Sequence, residues 1–173
     1  MKKVDKIFSG LTSVVSVVSY VGFFAVMMII VVDVLLRKIG GSSINGAYEL
    51  VERTLMCGVF ASFAYTQSEH GHVRVTMFFS KLPRAIRFIV NALTYLLGAV
   101  AAGALSYAAY IQTLYSGSVG TKTGVLGIPL APFFLIETAC MAVFIVVLLW
   151  DAVKSLAAIT DQELAENIMK DWV

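Results

Sequence analysis

Four runs of mainly apolar residues, at 11–36, 47–66, 85–115 and 128–150, occupy most of this 173-residue chain. Each meets or approaches the roughly 20 helical residues that cross about 30 Å of hydrocarbon. A backbone inside lipid must satisfy its own amides, and a helix does so within one segment. The sequence therefore predicts an all-α membrane protein of four transmembrane helices in a single membrane domain. Composition agrees: hydrophobic residues make up 59% and charged residues 14%, with a mean hydropathy of +0.86. Soluble domains carry about a quarter charged residues. The first run is long enough to span, leads into Asp33 and is expected to stay in place as a helix instead of being removed as a signal peptide. The second is interrupted at its start by Glu49, Glu52 and Arg53, so it can span only where protein or the interface shelters that turn. The third exceeds a perpendicular crossing and predicts a tilt or an extension beyond the bilayer.

Orientation follows from the basic residues in the short connections. Lys2, Lys3, Lys6, Arg74, Lys81, Arg84, Arg87, Lys154 and Lys170 fall on one side; Arg37, Lys38 and Lys122 fall on the other. Nine against three predicts both termini in the cytoplasm. Between the second and third runs, residues 69–83 mix Val73, Val75, Met77, Phe78 and Phe79 with His70, His72, Arg74 and Lys81, a pattern expected of a short interfacial segment. Residues 151–173 predict a cytoplasmic amphipathic helix with a break near Thr160 and Asp161.

Ionisable groups in membrane helices are costly and need partners, which singles out Asp33, Glu49, Glu52, Arg53 and Glu137. On the predicted topology all five lie in the outer half of the bilayer or at its edge. Arg53 would sit about 9 Å, and Glu137 about 13 Å, below their helix starts. Matched depth allows an Arg53–Glu137 ion pair, while Glu49–Arg53 and Asp33–Arg37 have the four-residue spacing of local helix pairs. Structural pairing is one reading of these residues; contact with another subunit and a proton or substrate path through Glu137 are the others. Gly98 with Ala102, and Ala99 with Gly103, are small residues four apart, suited to close helix packing within the bundle or against a partner. Pro129 is expected in the first turn of the fourth helix.

Cys57 and Cys140 lie within apolar runs and are expected to be reduced packing residues. His70 and His72 provide too few ligands for a metal. No nucleophile motif, phosphate-binding glycine loop or dinucleotide fingerprint occurs, and the net charge of +2 is not that of a nucleic-acid binder. No internal repeat of the kind that builds many self-sufficient carriers is visible.

The order of Tyr48-Glu49-Leu50-Val51-Glu52-Arg53, then Glu69-His70-Gly71-His72-Val73-Arg74-Val75, then Leu82-Pro83, then Ile128-Pro129 resembles the small membrane subunit, the DctQ-like family, of tripartite ATP-independent periplasmic (TRAP) transporters. The likeness runs from the first helix to the fourth; Thr76 stands where the family pattern has Asp. The resemblance implies a bacterial inner-membrane protein that is no enzyme and holds no cofactor. It also implies a large membrane subunit that carries an organic acid inward with sodium, the coupling ion belonging to that partner, and a periplasmic substrate-binding protein. Glu49, Glu52, Arg53, His72, Arg74 and Pro129 match the family pattern and are assigned by analogy to architecture and subunit contact. Asp33, Arg37, Gly98, Ala102 and Glu137 are candidates for the same roles.

Two other classes stand beside it. A small proton-coupled exporter acting as a homo-oligomer would use Glu137 as its carboxylate. A four-helix membrane enzyme of MAPEG type would need a cofactor pocket on the cytoplasmic side, opposite to where the deep charges gather.

Overall fold

The computed structural model describes residues 2–69, 83–162 and 165–166. The described residues form four long helices: α1 (Lys2–Gly40), α2 (Ala47–Ser68), α3 (Arg84–Val119) and α4 (Ala131–Ala157). Among the described residues, three segments are long and apolar enough to cross a membrane: Thr12–Gly40, Ala85–Val119 and Ala131–Ala157. At 39 and 36 residues, α1 and α3 are about 58 and 54 Å long, well beyond the hydrocarbon thickness. The interfacial segment expected at 69–83, with His72 and Arg74, lies almost wholly outside the described residues.

The helices pack in the order α1, α2, α4, α3, with α1 and α3 on the flanks and α2 and α4 in the middle. Side-chain pairs place the ends. Thr12 meets Ser68, Gln67 meets Asp151 and Asn91 meets Ser155 at one end, called proximal here. The connections 41–46 and 120–130 lie at the other, distal end.

The core is built between α3 and α4 from Tyr95, Ala99, Ala102, Met141, Leu148 and Ala152, with Phe60, Phe63, Phe144 and Ile145 packed against it. Phe63 stacks on Phe144 at 5.6 Å between α2 and α4. Gly98 faces Leu148, a Cβ there meeting its side chain at 3.6 Å, and Ala102 is buried. The small-residue pair is thus spent on packing within the chain.

α1 turns the usual amphipathic pattern inside out. Thr12, Ser16, Ser19 and Asp33 are on its buried stripe, while Val14, Val17, Val21, Phe24, Met28 and Val31 face outward. Lipid suits that outward face. The α1–α2 contact is close because Gly22 meets Thr54 and Gly58 meets Phe23, where an added Cβ would lie 3.2 Å from the ring. Gly58→Leu is therefore expected to destabilise the pair by about 1–3 kcal/mol through overpacking, read as a lower unfolding temperature in detergent.

Both boundaries of the fourth helix differ from expectation. The fourth helix begins at Ala131, not Ile128. The Ile128 amide donates to Thr123 Oγ1 and its carbonyl accepts from Thr123, while Pro129 pairs with Lys122 in an isolated bridge. Pro132 takes the first-turn place expected of Pro129. The helix also continues through Asp151 to Ala157 before the turn at 158–160, so the expected break is present but the tail starts as a continuation of α4.

Candidate functional site

The distal ionisable residues are held by backbone amides and by their own helices. Asp33 Oδ1 accepts the Ile44 N–H at 2.8 Å and Oδ2 meets Arg37 at 2.6 Å, so the buried carboxylate both fixes the α1–α2 connection and makes the predicted local pair. A charge-assisted bond of this kind satisfies an amide that the helix ladder cannot reach.

Glu49 reaches across the distal end. Its Oε1 and Oε2 accept the N–H groups of Val125 and Leu126 at 2.8 and 3.0 Å. These two amides belong to a tight hairpin between α3 and α4, closed by Thr123 N–H to Ile128 O at 2.9 Å and Leu130 N–H to Thr121 O at 3.0 Å. Gly120, at φ +70°, turns the chain out of α3 into it. Leu126 then lies over Gly46, at φ +78°, where any Cβ would collide with its side chain. Glu49 and Gly46, at the start of α2, thus form a clamp on the hairpin, and Glu49 is not paired with Arg53.

Arg53 Nη2 is 3.2 Å from the Oε1 of its neighbour Glu52, and its buried Nε has no acceptor among the described residues. The expected Arg53–Glu137 pair is not formed: Arg53 lies on the adjacent carboxylate, and Glu137 makes no hydrogen bond or ion pair among the described residues. Its neighbour Thr138 offers its carbonyl to Ser106 on α3.

The proximal end carries a polar layer that the pattern of apolar runs does not reveal. Buried Gln67 on α2 donates Nε2–H to Asp151 Oδ2 at 2.7 Å, and Lys154 Nζ lies 2.7 Å from Oδ1. Asn91 donates to Ser155 Oγ at 2.8 Å, and Thr12 and Ser68 hydroxyls meet at 2.9 Å. The available signal was the presence of Gln67, Asn91 and Asp151 at the margins of otherwise apolar runs, since polar groups there need partners.

The carboxylates of Asp33, Glu49 and Asp151 are thus engaged in holding helices and loops together. Cys57 and Cys140 are free thiols, and among the described residues no cluster of three or more metal-ligating side chains occurs.

Comparison with protein families matches residues 26–158 to the family described as tripartite ATP-independent periplasmic transporters, DctQ component. No characterised protein matches the chain individually. The matched region begins within α1 and ends just past α4, so it includes both connections that Asp33 and Glu49 hold.

Proposed function

Because the chain belongs to the DctQ component family of tripartite ATP-independent periplasmic transporters, we propose that it is the small accessory subunit that braces the large membrane subunit. The large subunit carries an organic acid inward with sodium, and a periplasmic binding protein delivers that acid. Family membership makes the chain a component of a transport system instead of an enzyme. The observation that carries the bracing role is the use of its carboxylates: Asp33, Glu49 and Asp151 accept bonds from the chain's own amides and side chains. A path for solute or protons needs acidic groups free to exchange partners; these three are committed, while Glu137, the carboxylate that the exporter reading would use, makes no hydrogen bond or ion pair among the described residues.

In this reading the protein sits in the bacterial inner membrane with both termini cytoplasmic, following the basic residues. The proximal end is then cytoplasmic and the Glu49 clamp periplasmic. α2 is the fourth crossing. Its 22 residues reach about 33 Å, and it lies along α1 from Thr12–Ser68 through Tyr20–Tyr65 to Gly22–Thr54. A helix packed lengthwise on a spanning neighbour shares its depth.

Co-expression with the large-subunit gene of the same transporter is expected to yield one co-purifying complex, and the purified chain alone, in liposomes, no solute uptake. Recovery of a free homodimer that transports by itself would overturn the accessory role and favour the exporter reading.

A further inference from the structure

Each helix leaves one face uncovered by the others, and three of these faces are apolar. On α4 it runs through Leu135, Ala139, Ala142 and Val146; on α3 through Leu97, Val100 and Ala104; that of α1 is described above. Hydrocarbon can cover all three without cost to a polar group. α2 differs. Its flanks are taken by α1, against Thr54, Gly58 and Tyr65, and by α4, against Phe63 and Gln67. What remains is the stripe Tyr48, Glu52, Leu55, Val59, Ser62 and Thr66, spaced three and four apart along one side.

Two observations say that lipid is the wrong cover. The stripe is interrupted by a carboxylate, and α2 is absent from the set of described helices apolar enough to cross alone. Glu52 is 51% exposed, its side chain about 8 Å from the helix start, with Arg53 at 3.2 Å as its partner. Arg53, 20% exposed, keeps a buried Nε–H without an acceptor among the described residues. Glu52 is therefore unsaturated on its exposed side, while the Arg53 Nε–H is enclosed by this chain. A carboxylate with one neighbour needs a further donor when it leaves water.

We propose that this stripe of α2 is the face on which the large membrane subunit lays one of its transmembrane helices, with a donor side chain opposite Glu52. The inference rests on the accessory-subunit reading and adds the surface that reading leaves open. A second copy of this chain fits the surface less well, since it would bring Glu52 toward another exposed Glu52 or oppose charge to the apolar stripes of α3 or α4.

The test uses the complex of the full chain with the co-expressed large subunit. A photoreactive amino acid replaces Val59 on the stripe, or Ala104 or Ala142 on the apolar faces, and the adduct to the large subunit is quantified after illumination. Val59 is expected to give at least about ten times the adduct of either control, as direct contact differs from lipid separation. Equal or stronger adducts from Ala104 or Ala142 would overturn the assignment while leaving the accessory role standing. Failure of the two proteins to co-purify at all would overturn both. Independently, Glu52→Lys is expected to reduce co-purified large subunit by roughly tenfold or more, while the variant chain elutes as the wild type does. Undiminished co-purification of Glu52→Lys would overturn the role of the charged pair.

Discussion

Replacing Asp151 by Ala is expected to lower stability by about 3 kcal/mol or more, the largest single effect of any substitution considered, because it strips a partner from two groups at once. Gln67 is buried and loses the acceptor 2.7 Å from its amide; Lys154 loses a carboxylate at the same distance. A buried donor left unsatisfied costs its full desolvation. Asp151→Asn retains an acceptor for Gln67 but removes the charge facing Lys154, so its loss should fall between wild type and Asp151→Ala. Thermal unfolding of the detergent-purified chain measures both. A change in Asp151→Ala below about 0.5 kcal/mol, the size of an ordinary surface substitution, would show that the layer does not hold α2 to α4.

Gly46→Val is the second large effect. The position has φ +78°, where a β-branched side chain is strained, and its Cβ would enter the space of Leu126. Backbone strain of about 1–2 kcal/mol and overpacking of about 1–3 kcal/mol act together. The loss should localise: the hairpin 121–130 has to lift off α2, which also parts the Val125 and Leu126 amides from Glu49. Limited trypsinolysis reads this directly, because exposed Lys122 lies in that hairpin and is expected to be cut faster in Gly46→Val and in Glu49→Ala than in the wild type. Combining the two substitutions should add little beyond either, since both undo one contact. Additive increases in cleavage would mean that Gly46 and Glu49 act on the hairpin separately.

Apolar periodicity and length made the helices legible, since an apolar run of about 20 residues has few alternatives in lipid. Their margins were less so. Asp151 follows Trp150 and reads as the first residue of a polar tail; only Gln67, 84 positions away, draws it into the bundle. Glu49 presents a similar case. Its spacing to Arg53 suggested a helix pair, but the two hairpin amides that it accepts belong to residues whose position depends on the packing of α3 against α4. Matched depth, the basis for an Arg53–Glu137 pair, constrains height in the bilayer and says nothing of rotation about each helix axis. Asp33–Arg37 formed as expected because both residues share one helix, where spacing fixes rotation as well.

The polar seam on α1 has a consequence for how the protein is made. Thr12, Ser16, Ser19 and Asp33 are buried along α1, Asp33 against the connection to α2, and α2 is not among the described helices apolar enough to cross alone. With α2 crossing as proposed, α1 is apolar enough to cross by itself, and α2 meets hydrocarbon with α1 beside it. The translocon would then release α1 and α2 together as one hairpin, joined by a connection that Asp33 fastens through the Ile44 amide. Lengthening that connection would delay their meeting and leave α2 exposed to quality-control proteolysis before α3 and α4 are synthesised.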